Sequence, residues 1–293
     1  MPVYRIHFMR RVLVTAALCL AVAVVLPRSA LAGLQYQFQE DHLESFQFEL
    51  SRSVRTERAG VDLLQPFSTR IQGTVQRYVA RVFRDGSLGL VVRTMGLDGS
   101  IQRVGMSESK LDLSAVEGRS LSLRLDRGGA QLDSTGWLHL RRAGAGDLVD
   151  DVLLGSAPRL PARIPEQGEA VASSYRMQLP IDEGLSCQQT WILSYSPVEE
   201  KLDECHGSCR ALAYEGTVRE NCMDRANALE RSGSAKVTGQ LEIHVRGARS
   251  RVRAHRWSVD WERQLAPSHG DQPTAQIIQY LSSEGSLKAE DKR

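Results

Sequence analysis

RIQGTVQRYVARVFRDGSLGLVVRTM, Arg70 to Met95, decides the fold class. Apolar and polar residues alternate along it with period 2, the pattern of a strand with one face buried. Asp85-Gly86 interrupts the alternation with a dipeptide suited to the positive φ of a tight hairpin turn. The stretch therefore predicts two antiparallel strands rather than a helix.

The same alternation extends outward in both directions. FQFELSRSVR, Phe46 to Arg55, places Phe46, Phe48 and Leu50 on one face. Asp98-Gly99 predicts a second turn, leading into Ile101 to Met106. Leu121, Leu123 and Leu125 then alternate, and Arg127-Gly128-Gly129 turns the chain back towards Trp137. Further on, Tyr175 to Leu179, Ser186 to Ser196 and Ala211 to Gly216 read as strands. Val237, Gly239, Leu241, Ile243 and Val245 share one face, and His255, Trp257, Val259 and Trp261 share another. Val218, Cys222, Ala226 and Leu229 instead recur at helical spacing, which predicts a short helix there.

These elements predict a mainly β protein of antiparallel sheets, as a curved sheet, half-barrel or sandwich in two halves, with one or two short helices. The first half is 33–141 and the second, with the cysteine cluster, is 169–265. Between them 142–168 is rich in glycine and proline, which suits an irregular connection, with a short helix around Asp147 to Leu154. Residues 266–293 read as a polar tail. Arg70 to Val79 resembles Lys236 to Val245 at an offset of 166 residues, which suggests duplication, although amphipathic strands resemble one another in any case.

Residues 1–32 read as a secretory signal. Arg5, Arg10 and Arg11 precede the uncharged run Val12 to Leu26, and Ala30-Leu31-Ala32 offers small residues for cleavage before Gly33. The expected location is periplasmic or extracellular, with no membrane span in the mature chain. Without residues 1–32 the charge becomes 33 basic against 35 acidic side chains, so nothing in it favours nucleic acid.

Several motifs together resemble a group of exported bacterial β-rich proteins classed as a domain of unknown function. They are Tyr36-Gln37-Phe38, Gly73 to Val79 with Asp85-Gly86, Gly118 to Gly136, Leu153 to Ala170, and Lys236 to Arg263. The resemblance implies an envelope-located β fold without an assigned catalytic site.

Chemistry concentrates in ECHGSC, Glu204 to Cys209. The mature chain has four cysteines, Cys187, Cys205, Cys209 and Cys222, and an exported protein with a clustered even set forms disulfides. Three connectivities are open. If Trp191 to Ser196 pairs with Ala211 to Gly216, Cys187 lies opposite roughly position 220, within reach of Cys222, and Cys205 and Cys209 share the connecting loop. That favours Cys187–Cys222 with Cys205–Cys209. Two alternatives stand beside it: a metal held by Cys205, Cys209, Cys222 and His206, or a redox-active cysteine pair.

No nucleophile elbow, zinc-protease helix, Walker loop or dinucleotide fingerprint occurs. His244 and His255 read as exposed-face or interfacial residues, and Asp150-Asp151 and Glu199-Glu200 as solvated or oppositely directed pairs. The Trp257 and Trp261 stripe suits either a packed core or a glycan-stacking platform. If the sheet curves, Phe46, Phe48, Trp257 and Trp261 are the candidate ligand face. The leading expectation is a non-catalytic envelope protein, a binding or structural module holding an apolar ligand, with that ligand or an envelope protein as partner and no cofactor. The alternatives are a carbohydrate- or protein-binding domain using exposed strand faces, and a periplasmic enzyme using the cysteine/histidine cluster.

Overall fold

The structure is a computed structural model describing residues 34–36, 38–114, 116–136, 151, 155, 157–182, 184–199, 209–224, 229–246, 249–265 and 277–290. The chain divides into two compact units, Met1–Ala32 and Gly33–Arg293. The first, and with it the signal-peptide reading, lies outside the described residues.

Alternation along the second unit is realised as strands. They are β1 (Gln35–Tyr36), β2 (Leu43–Arg58), β3 (Val61–Asp62), β4 (Phe67–Val82), β5 (Leu88–Arg103), β6 (Ser109–Lys110) and β7 (Ser120–Leu125). After these come β8 (Gln131–Thr135), β9 (Val171–Asp182), β10 (Leu185–Val198), β11 (Cys209–Met223), β12 (Leu229–Arg246), β13 (Arg249–Leu265) and β14 (Ile277–Ala289). The hairpin read from Arg70 to Met95 is β4 and β5, and Gly86 in its turn has φ 79°.

All main strands join one antiparallel sheet in the order β8-β7-β5-β4-β2-β14-β13-β12-β11-β10-β9. Both halves are meanders, and they meet where β2 pairs with β14. The sheet's two edges, β8 and β9, approach each other without a ladder bond, so the sheet is a nearly closed barrel with a seam there. Phe46, Val75, Leu90, Leu123, Leu212, Leu241, Val259 and Leu287 fill its inside, each contributing roughly 1.5–3 kcal/mol by burial. Outward positions such as Ser51, Ser53 and Arg55 on β2 and Arg256, Asp260 and Glu262 on β13 are polar, and the exposed apolar strand residues include Leu43, Ile192 and Met223 on β2, β10 and β11. The polar ones differ from the outward residues of a lipid-spanning barrel, which form an apolar band. Among the described residues no helix is long and apolar enough to cross a membrane.

Four sequence expectations change. Asp98-Gly99 is no turn but lies within β5, where a Cβ at Gly99 would crowd the end of the Leu113 side chain at 2.9 Å and the Arg70 carbonyl at 3.2 Å. The helix expected from Val218 is strand as far as Met223 and again from Leu229. Val218, Glu220 and Cys222 all face inward there, and the buried glutamate hides the alternation. The polar tail contains β14, the strand that joins the halves. Its inward positions include Leu281, Ser283 and Leu287, with Gly285 between them because the Trp257 ring occupies that space: a Cβ at Gly285 would lie 2.1 Å from it.

The fourth concerns the connection, which packs against the inside of the sheet. Of the helix expected around Asp147 to Leu154 only Asp151 falls within the described residues, and it is helical, as is Gly155. Buried Asp151 pairs with Arg52 rather than with solvent. Leu160 is buried, and its amide donates to the Gly128 carbonyl at 2.9 Å. Backbone carbonyls of the connection accept from the wall: Gly155 from His255 Nδ1 at 3.0 Å, Pro158 from the Tyr36 hydroxyl, Arg159 from the Tyr195 hydroxyl at 2.7 Å, and Ala162 from the Leu34 amide at 2.9 Å. Proline-rich backbone, unable to join a ladder, is satisfied in this way by side chains and stray amides.

Candidate functional site: a cavity at the seam

Where β8 and β9 fail to pair, a cavity of about 70 Å³ remains. Leu123 and Leu125 of β7 wall one side, Tyr175, Met177 and Leu179 of β9 the other. Trp191 of β10 and Trp261 of β13 close its back, and Ala157 and Arg159 of the connection form its floor. Each wall residue is an alternate inward position of its strand, so the apolar lining follows from period 2 alone. Tyr175 stacks on Trp191 with ring centroids 5.8 Å apart.

Polar groups gather at one end. Glu220, with a side chain 1% exposed, accepts from Gln189 Nε2 at Oε2, 2.8 Å away. Its Oε1 lies 2.9 Å from Arg231 Nε and 3.1 Å from Arg263 Nε. Those Nε–H groups do not point along the contacts, so the attraction is Coulombic rather than a hydrogen bond. Arg263 lines the cavity and lies over the Trp261 ring at 4.4 Å. Arg159 is held by Asp126 at 2.5 Å.

Two further polar groups are buried in the barrel away from the cavity. Arg77 is wholly buried, bonded through Nε (2.9 Å) and Nη2 (2.5 Å) to Glu44, with the Phe46 and Phe38 rings 4.9 and 5.0 Å from its guanidinium carbon. Burial alone would raise the Glu44 pKa, but Arg77 and Arg251 together hold it below the usual carboxylate value. His255 is not exposed but fully buried, with Nε2 2.8 Å from the Tyr214 hydroxyl. Burial lowers its pKa to about 4, opposed only in part by the bond to Gly155. The neutral ring donates from Nδ1 and accepts the Tyr214 proton at Nε2, a structural rather than catalytic pairing. Burial also pushes the Tyr36, Tyr195 and Tyr214 phenols well above their ordinary value, so they remain donors.

Of the predicted ligand face, Trp261 lines the cavity, while Phe46 and Phe48 are buried in the core. Trp257 is buried as well, between Gly155 and Gly285, so the tryptophan stripe offers no outward stacking platform. Cys187 and Cys222 are disulfide-bonded across β10 and β11, directly opposite one another. The hairpin register is two residues away from that expected, since Trp191 pairs with Val218 rather than Gly216. Cys209 is also disulfide-bonded, and Cys205 and His206 lie outside the described residues. Cys187, Glu220 and Cys222 cluster closely, but both sulfurs are spent in the bridge, so the cluster offers no thiolate ligand.

The sequence reading passed over Arg263, Glu220, Tyr175 and Met177. Arg263 was within reach, because it continues the inward phase of Trp257, Val259 and Trp261. Which inward residues gather around a void depends on the seam, and that is set by long-range pairing.

No family model and no curated protein matches this sequence. Among solved structures, one of lipovitellin and its lipid–protein interactions is 11% identical over 87% of this chain, with a TM-score of 0.46. The chain spans 26% of that protein's length. The outer membrane protein OprG of Pseudomonas aeruginosa is 7% identical over 89% of this chain and 100% of its own, with a TM-score of 0.20. A DUF1329 family protein of Desulfovibrio piger is 11% identical over 83% of this chain and 85% of its own, with a TM-score of 0.18.

Proposed function

We propose that this protein is an exported, non-catalytic envelope module that holds an apolar ligand at the seam of its curved sheet. One observation carries the reading: a cavity walled by Trp191, Trp261, Met177 and leucines lies where the ladder is unmade. Apolar concavities with a few placed polar groups are the usual form of small-molecule sites, and barrels offer them where closure is incomplete. The cavity of about 70 Å³ takes the first carbons of a chain, and the remainder would run out between β8 and β9. Export is supported by the basic, apolar and small-residue layout of residues 1–32, by the disulfides, and by the likeness of the motifs to exported β-rich proteins. Against an enzyme stands the loss of three cluster cysteines to disulfides.

Tryptophan emission tests the reading, since Trp191 and Trp261 border the cavity. Titration with 1-dodecanol should shift the emission saturably, and Trp261→Ala should abolish the shift. No shift and no heat of binding by calorimetry would count against it. The rival reading, recognition of a carbohydrate or protein, has an open outer concavity of about 850 Å³ in its favour, bordered by Glu49, Arg70, Gln72, Gln240, Arg256 and Glu284. Pull-down of a glycan or protein that Arg70→Glu abolishes, with dodecanol binding unchanged, would favour that rival.

A further inference from the structure

Arg263 is the cavity residue whose chemistry the fold leaves unused. Its side chain is 5% exposed, yet its only charged contact is Nε beside Glu220 at 3.1 Å, outside hydrogen-bond geometry. Among the described residues its Nε is buried with no acceptor in hydrogen-bond geometry, no hydrogen bond from its two terminal nitrogens is seen, and the guanidinium borders a cavity. Buried guanidinium groups ordinarily have their donors satisfied, because an unbonded buried charge is costly. Glu220 is shared rather than committed to Arg263: its Oε2 accepts from Gln189, and its Oε1 lies between Arg231 and Arg263 without a hydrogen bond to either, so one carboxylate faces two guanidinium groups. The other charges bordering the cavity are matched, Arg159 by Asp126 and Asp151 by Arg52.

We propose that the seam cavity takes a carboxylate-headed amphiphile, with Arg263 as the anchor of its head group. The inference rests on the apolar-ligand reading above and adds the class of ligand. A carboxylate fits because the planar guanidinium presents two parallel N–H groups, which a carboxylate accepts as a pair. Trp261 holds the guanidinium plane from one side, which fixes the direction of that fork. Beyond the head, Trp191, Met177 and Leu179 offer the alkyl chain an apolar wall leading to the seam. Among the described residues Arg159, whose Nε is likewise without an acceptor, already has Asp126 as its acid, whereas Arg263 shares Glu220 with Arg231, so the surplus at the cavity is one positive charge and matches a single negative one.

The test compares dodecanoate with methyl dodecanoate, on the wild type and on Arg263→Met. The variant keeps Glu220 beside Arg231, so its fold is preserved, which a thermal melt checks. Dodecanoate should bind the wild type at least about tenfold more tightly than the ester, the size of one charge-assisted pair. Arg263→Met should bring the acid down to the ester's affinity and leave the ester unchanged. Equal binding of acid and ester, untouched by the variant, would overturn the head-group assignment while leaving the apolar site in place. Binding of neither would overturn both. If Arg263→Met melts out, Arg263→Lys serves instead: it keeps the charge without the fork, and an acid affinity equal to wild type would contradict the paired geometry.

Discussion

Gly285 shows how far a single side chain constrains this barrel. It occupies an inward position of β14, where the Trp257 ring takes the space any Cβ would need. Gly285→Ala should cost about 2–3 kcal/mol through overpacking, whereas outward Glu284→Ala should stay within about 0.5 kcal/mol. Urea denaturation of the two variants checks the contrast. His255 makes a second prediction at this scale. Its folded pKa of about 4 lies below the ordinary value of 6.5, so between them the unfolded chain binds more protons. Its contribution is full above 6.5 and lost as pH falls towards 4, about 3 kcal/mol in all. Glu44, also held below its ordinary value, loses its contribution at still lower pH. Stability measured from pH 7 to 4 should fall in the wild type, and His255→Gln should flatten that limb while lowering the plateau.

At the level of elements, the cross-links and ion pairs hold strands that are distant in sequence. The Cys187–Cys222 bridge spans a sequence separation of 35, and replacing both cysteines by serine should remove about 3–4 kcal/mol by loosening the constraint on the unfolded chain. Glu44 joins β2 to Arg77 of β4 and Arg251 of β13. Glu44→Gln leaves Arg77 buried without its counter-charge and should cost about 3–5 kcal/mol, read from the same urea curves.

These elements also mark what the sequence could and could not say. The hairpin of β4 and β5 was legible because its alternation and its turn dipeptide agree. β14 was not, because Ser283 and Gly285 take inward positions that leucine or valine would have advertised. The Cys187–Cys222 pairing was legible from hairpin reasoning despite a register two residues off, since both cysteines face inward on neighbouring strands. The cavity was not, because it exists only where β8 and β9 are brought side by side by nine other strands.

The strands of the Gly33–Arg293 unit form a meander in which β2 and β14, near its ends, pair with each other and β8 and β9, at its middle, form the seam. Side chains and the connection fill most of its inside, and the cavity lies where β8 and β9 do not pair. That arrangement predicts where ligand should be found and what it should look like. Native mass spectrometry of the protein purified from its own envelope tests this most directly. The account predicts a polypeptide beginning at Gly33 with its cysteines bridged, carrying a stoichiometric apolar acid that Arg263→Met fails to retain. A bare polypeptide from wild-type envelope, unchanged in mass after incubation with dodecanoate or dodecanol, would contradict it.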